Sequence, residues 1–284
     1  MRQISIVKQT LVLFFLPTLL AAGPQGGVHP AKAEFKDFQE WRAVNPGQVS
    51  LKDFSPFRAV YKRNYTQGSG PKKGEPRTDR VIITAEAVGW DGHQAIHFSM
   101  VDSGEVHYDD TNGRTFSLYF DAKTLAMLLE MGPVPGSAKD YYTLRVLEDK
   151  LVGTFVTTDK GEAQNQIAPT SAPGFGAPAP WILASMDLTK GKRIRFEPAY
   201  SVGLGVLNTK SPFRVSGQQK IKSEGGQSFQ VWVVESVSNL KSPWVQRTMI
   251  TDKPPYLIRR ESVNKDSGQT RVYMDLLNFQ SFAR

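Results

Sequence analysis

Turn-forming residues break this chain about every ten residues, and that spacing decides most of what it can become. Asp91-Gly92, Asn112-Gly113, Asp159-Lys160-Gly161 and Glu224-Gly225-Gly226 each separate runs rich in β-branched and aromatic residues. Asp-Gly and Asn-Gly accept the positive φ of tight hairpin loops, so such pairs join antiparallel neighbours. The clearest run is Gln227–Phe279, four β-rich segments divided by Pro, Gly, Asn and Asp, which reads as a meander of adjacent antiparallel strands. Long helices have no room between turns this close together. The expected fold is mainly β: a single strongly curved antiparallel sheet, a half-barrel or open barrel, with one or two short helices. The meander is expected to form its closing edge.

A chain of 284 residues, 40% hydrophobic and 22% charged, can bury a core and has no disordered composition. It has no cysteine, which removes disulfides, thiolate nucleophiles, iron–sulfur clusters and Cys-ligated zinc. Residues 1–33 read as an export signal. Arg2 and Lys8 precede the apolar run Thr10–Ala22, which Pro17 interrupts and which falls short of a membrane span. Small residues at Ala31-Lys32-Ala33 favour cleavage before Glu34, leaving 34–284 as a single β domain. No later stretch is long and apolar enough for a transmembrane helix, so a periplasmic location is expected. The net charge of +8 falls by three when Arg2, Lys8 and Lys32 leave with the signal. Such a mild basic bias, on an exported chain, argues against nucleic acid as a partner.

Within the domain, Phe35, Phe38 and Trp41 at spacing three suggest a short amphipathic helix over Glu34–Gly47, used as a lid or plug. Phe57–Gln67 alternates as a strand with an aromatic face. Asp121–Met131 suits either a helix or a hairpin, and its β-like neighbours favour the hairpin. The Pro/Gly-rich stretch 169–180 cannot supply interior ladder hydrogen bonds and is expected to be a crossover loop. Trp181–Leu188 reads as a short helix or buried turn.

The catalytic inventory is thin. His93 and His97 are four apart in an expected strand and share a face, with Ile96, Phe98 and Met100 on the buried side. Four strand residues span roughly 13 Å, too far for one metal ion, so no metal site is expected. Neither Gly-x-Ser-x-Gly nor Ser-x-x-Lys in a helical context occurs, and Gly203-Leu204-Gly205 lacks a phosphate cradle's third glycine. Asp109-Asp110 sits where the Asn112-Gly113 turn needs acidic residues anyway. No catalytic residue and no cofactor is assigned. The remaining candidates are aromatic: Trp181, Trp232, Trp244 and Tyr256, either as core or as the lining of a cavity for an apolar ligand.

Three segments carry a family likeness: Pro180-Trp181-Ile182-Leu183 with Asp187-Leu188-Thr189-Lys190-Gly191-Lys192; Phe229–Val234; and Pro254–Glu261 with Gly268. Together they resemble an uncharacterised exported bacterial family (DUF3108-like) related to the half-barrel of the periplasmic lipoprotein carriers LolA and LolB. The resemblance implies a curved sheet wrapped around short helices with an apolar concave face, and it supplies no active residues. The expected function is a non-enzymatic exported protein that holds an apolar or lipidic group or an envelope partner, whether lipid, lipoprotein or envelope protein. The alternative is a hydrolase of envelope polymer, which would need two carboxylates about 5–10 Å apart.

Overall fold

The computed structural model describes residues 34–49, 54–66, 74–102, 115–133, 141–147, 150–157, 162–169, 179–199, 209–237 and 240–282. The meander folds as expected, into β12 (Ser228–Ser236), β13 (Trp244–Ile250), β14 (Leu257–Asn264) and β15 (Thr270–Ser281), each antiparallel to the next. Before it come β10 (Arg193–Ala199) and β11 (Thr209–Lys222). The first half supplies β1 (Arg42–Val44), β2 (Phe57–Thr66), β3 (Pro76–Trp90), β4 (His93–Asp102) and β5 (Thr115–Asp121). It continues through β6 (Met127–Pro133), β7 (Tyr141–Leu147), β8 (Lys150–Thr157) and β9 (Glu162–Pro169), and one six-residue helix, α1 (Ala179–Ala184), follows.

All fifteen strands join one sheet, in the order β1-β10-β11-β12-β13-β14-β15-β2-β3-β4-β5-β6-β7-β8-β9. The meander is therefore interior to the sheet and not its closing edge, because β15 pairs antiparallel with β2 from Met274↔Arg63 to Ser281↔Phe57. Local turn chemistry shows which strands are neighbours along the chain, but this long-range pairing has no local signal. The edges are β1, parallel to β10, and β9. Of the stretch 169–180 expected as a crossover loop, Pro169 ends β9 and Ala179-Pro180 begin α1, while residues 170–178 lie outside the described residues.

Two contacts show how far the sheet curls. Helix α1 packs on β13, while its Trp181 lies 4.7 Å, centroid to centroid, from Phe98 on β4, five strands further along the order. Gly47, just past β1, donates its N–H to the carbonyl of Thr124 in the β5–β6 turn at 2.8 Å. The β1 end of the sheet therefore comes round to meet the β5–β6 turn, giving an open, barrel-like sheet with α1 inside the curl.

The register defines one inner face across the sheet. Phe98 pairs with Ala85 and Ala85 with Phe57; Tyr61 pairs with Val81 and with Leu276. Met274 continues that face to Arg260, Thr248 and Val234. Tyr61, Phe57, Phe120, Phe196, Ile83 and Ile96 are among the largest fully buried side chains. Burying each such side chain is worth about 1.5–3 kcal/mol, so this face supplies most of the driving force for folding.

Asp121–Met131 is a hairpin, as its neighbours suggested: Asp121 Oδ1 accepts the N–H groups of Lys123 (3.0 Å) and Thr124 (2.8 Å), so the turn satisfies its own donors. The expected helix over Glu34–Gly47 is reduced to a 3-10 turn at Phe38–Glu40 followed by β1. A helix so short is marginal alone. Here Arg193 and Arg214 of β10 and β11 sit over the rings of Trp41 (5.6 Å) and Phe35 (6.0 Å), and Arg195 donates to the carbonyls of Gln39 and Trp41. The segment docks on the outer face of β10–β11; the helix inside the curl is α1.

Candidate functional site

The candidate site is the apolar inner face around α1. Trp181, Ile182 and Leu183 are all buried there, in one contiguous cluster with Phe98, Phe116, Leu118, Phe120 and Tyr61. Trp181, Ile182 and Leu183 are the apolar residues that α1 brings into the curl. Ser185 closes the helix by donating its hydroxyl to the Ile182 carbonyl at 2.7 Å. Trp181 is 3% exposed, yet among the described residues its indole Nε1–H has no hydrogen-bond acceptor. Buried tryptophans usually find a partner for that group, and leaving a buried donor unpaired costs about 1–3 kcal/mol.

Of the other aromatic candidates, Tyr256 belongs to the same buried cluster as Trp181, Trp232 packs against that cluster, and Trp244 is not part of it. Tyr256 is buried at the start of β14, with Phe54 at 6.5 Å and Phe57 at 5.7 Å, and its hydroxyl accepts the Ser55 N–H at 3.2 Å. It sits at φ 62°, a conformation a bulky residue rarely adopts, with its N–H donated to the Lys253 carbonyl and its carbonyl accepting the Thr251 N–H. Trp232 is half-buried on the inner face, paired with Ile250, and packs against the core. Trp244 begins β13, six residues from Ile250 and so roughly 20 Å along the strand from Trp232. There the Arg271 guanidinium covers its ring at 4.3 Å. The four were singled out by size and hydrophobicity, which do not encode position along a strand.

Towards the Trp244 end of β13 the inner face turns polar, a feature that sequence reading missed. Gln246, Ser262 and Tyr273 form a hydrogen-bonded chain: Gln246 Nε2 donates to Ser262 Oγ at 2.7 Å, and Ser262 Oγ donates to Tyr273 Oη at 2.9 Å. Arg260 lies between Thr248 and Met274 on the same face, and Arg63, paired with Asp79 through both carboxylate oxygens, continues the row. Desolvation lowers the Arg260 guanidinium to about 10, against a smaller opposing effect of Tyr273; it stays charged at neutral pH. Polar residues at alternate positions of β13 and β14 (Gln246, Thr248; Arg260, Ser262) were the available signal.

The outer face of the same strands carries an ion network. The Glu235 carboxylate, 1% exposed as a residue, accepts from Arg214 Nη2 (2.7 Å), Arg247 Nε (3.1 Å) and Lys265 Nζ (3.1 Å). Burial alone would raise its pKa, but Arg214 and Lys265 outweigh it and bring it to about 2. Arg214 also holds Glu34 at 3.0 Å, tying the N-terminal segment to the network, and Arg259 holds Asp275. The tip of the β11–β12 hairpin crosses to β15, where Gly225 donates its N–H to the Leu276 carbonyl at 2.9 Å, and to β2, where Glu224 pairs with Lys62 at 2.7 Å. A Glu235 so fully engaged by cations is built to join strands.

His93 and His97 share the face opposite Ile96, Phe98 and Met100, as expected, and each is taken up locally. His93 Nδ1 lies 3.3 Å from Asp121, while His97 stacks on Tyr119 at 4.4 Å. Desolvation lowers the His97 pKa, with Glu86 opposing it. Among the described residues no group of three or more His, Asp or Glu side chains is placed to hold a metal ion, and no helix is long and apolar enough to cross a membrane. Asp109 and Asp110, the acidic pair before Asn112-Gly113, lie outside the described residues.

No family model matches the chain, and no curated protein matches it. A solved structure described as a beta-barrel-like protein of a domain of unknown function, DUF1849, from Brucella abortus is similar in fold. It superposes with a TM-score of 0.50 at 10% identity, over 83% of this chain and 100% of that one. The fold of this chain is accordingly β-barrel-like, one large open sheet with very little helix.

Proposed function

We propose that this protein is an exported, non-enzymatic binder that holds an apolar or lipidic group against the inner face of its sheet, beside α1. The observation that carries the reading is Trp181: a buried indole N–H on an otherwise apolar wall, with no acceptor among the described residues. A ligand with an apolar body and one carbonyl or ester oxygen would complete it, since a buried donor gains most from an acceptor that brings its own apolar surroundings. Support for export comes from the apolar run Thr10–Ala22 behind Arg2 and Lys8, and a carrier-like role fits the resemblance to the lipoprotein-carrier half-barrel. The ion network on the outer face, which stitches strands together, offers no competing site.

The test is direct binding of a monoacylglycerol by protein purified without detergent, compared with Trp181→Phe. The variant keeps an aromatic ring against Phe98 while removing the N–H together with the extra ring atoms of the indole. Saturable one-to-one binding, weakened about tenfold by the substitution, is expected, because one hydrogen bond is worth roughly 1–1.5 kcal/mol. Absence of saturable binding would refute the reading.

A further inference from the structure

The two ends of the open sheet are finished differently. At one end β1 is three residues long and parallel to β10, and the chain just beyond it bonds across to the β5–β6 turn through Gly47 and Thr124. So short a strand leaves little ladder exposed. At the other end β9 runs for eight residues and pairs with β8 without a register shift, from Thr157↔Glu162 to Lys150↔Pro169. Among the described residues no strand pairs with its far side. Edge strands usually carry a guard against further pairing, such as a lysine, an interior proline or a bulge. β9 has none of these: its one charge is at the first residue, Glu162, and its one proline at the last, Pro169. The strands behind it are open as well. Tyr141 and Leu147 of β7 are the large hydrophobic residues left exposed among the described residues, at 50% and 42%. Both belong to the outer face, since Tyr142 and Leu144 between them are buried. The register carries the Tyr141 row through Val156 to Ala163, and the Arg145 row through Val152 to Ile167, with Thr143, Thr154 and Asn165 between them. Strands β11 to β13 instead carry the Glu235 ion network on their outer face.

We propose that β9 is the surface through which two copies of this chain associate, by antiparallel pairing of the two β9 strands about a two-fold axis at Asn165. Every pairing from β10 round to β9 is antiparallel, so an antiparallel strand continues the ladder unchanged. For the outer faces of both copies to stay on one side, the axis has to pass through a residue position, because successive positions alternate between faces. An axis at Asn165 places Glu162 opposite Ala168 of the second copy and leaves Pro169, which has no N–H to give, outside the ladder. An axis at Gln166 would bring Pro169 inside it. In the Asn165 register no like charges meet, and Ala163 falls opposite Ile167 of the second copy. The row from Tyr141 through Val156 and Ala163 then runs on into Ile167 and Val152 of the second copy, and the same holds in reverse. Charge, register and outer face therefore all suit a second copy, and such an interface is isologous, as two-fold dimers require. One strand pair buries a small area, which places the association in the weak, micromolar class.

The chain has no cysteine, so a single introduced thiol reports on the pairing without background. Asn165→Cys sets two thiols on directly opposed residues, about 4.5–5.5 Å apart at Cα and within reach of a disulfide. Ala163→Cys is the control, since its two copies would lie four residues apart along the strand, roughly 13 Å, which a disulfide cannot span. Under mild oxidation Asn165→Cys is expected to form a covalent dimer at least tenfold faster than Ala163→Cys. Sedimentation velocity of the wild-type protein across the micromolar range should show monomer giving way to dimer. Asn165→Lys, which opposes two like charges on the axis, should weaken that association at least tenfold without lowering the melting temperature of the monomer. A wild type that stays monomeric at every concentration overturns the second copy as occupant and leaves the edge to a strand of another protein. A dimer unmoved by Asn165→Lys, or cross-linking equally fast at positions 163 and 165, overturns β9 as the interface. The cysteine pair decides the matter should Asn165→Lys not fold.

Discussion

Glu235→Gln should destabilise this protein by an amount that can be worked from its surroundings. The carboxylate is buried at the meeting of β11, β12 and β13, and Arg214 and Lys265 outweigh that burial to hold its pKa at about 2 against a starting value of 4.5. Two and a half units at 1.36 kcal/mol each correspond to about 3 kcal/mol of stability at neutral pH. Removing one partner of a buried ion pair typically costs about 3–5 kcal/mol, so the two routes agree. Because the folded pKa is depressed, this contribution is fully present above about pH 4.5 and drains away as pH falls towards 2. Urea denaturation of both proteins, followed by tryptophan fluorescence from pH 7 down to pH 3, reads this out. With a slope of roughly 2–3 kcal/mol per molar urea for a domain this size, the midpoint should drop by about 1 M at pH 7, and the gap should narrow below pH 4.5. A midpoint change under about 0.2 M at pH 7, or a gap that stays constant with pH, would show that the network contributes little to stability.

Gly225→Ala should detach the β11–β12 tip from β15, because an added Cβ would lie 1.6 Å from the Leu277 carbonyl oxygen; a loss of about 1–3 kcal/mol is expected by thermal melting. Gly89→Ala, whose Cβ would meet nothing within 4 Å, is the matched control and should change stability by less than about 0.5 kcal/mol. Tyr61→Phe removes a buried hydroxyl that donates to the Leu257 carbonyl at 2.9 Å and should cost about 1–2 kcal/mol in the same assay. Trp41→Ala should release the N-terminal segment from Arg193, raising amide exchange over residues 34–44 while the inner-face strands stay protected.

Much of the architecture is legible in the sequence because hairpins are local. Asp91 and Gly92 both take positive φ, at 49° and 81°, as a tight turn requires, and the strands on either side then pair in register from Val81↔Asp102 to Trp90↔His93. The β15–β2 pairing is another matter. It joins residues some two hundred positions apart, and no turn residue marks it. Read alone, the meander therefore resembles an edge. The N-terminal segment failed as a helix for a similar reason, since the three arginines that hold it come from β10 and β11. For the site, aromatic size pointed to Trp181, but the unanswered indole N–H depends on what the fold puts beside it. The polar row at Gln246, Thr248, Arg260 and Ser262 was visible as alternation, yet only the pairing of β13 with β14 assigns it to the inner face.

Photolabelling tests the central claim, a ligand on the inner face beside α1, most directly. Detergent-free protein is incubated with a fatty acid carrying a diazirine near its chain end, irradiated, digested and mapped by mass spectrometry. Label is expected on peptides containing Trp181 or Phe98, at a stoichiometry near one and competed away by unlabelled fatty acid. Label confined to outer-face residues such as Trp90 or Tyr141, or labelling that competitor does not reduce, would contradict it.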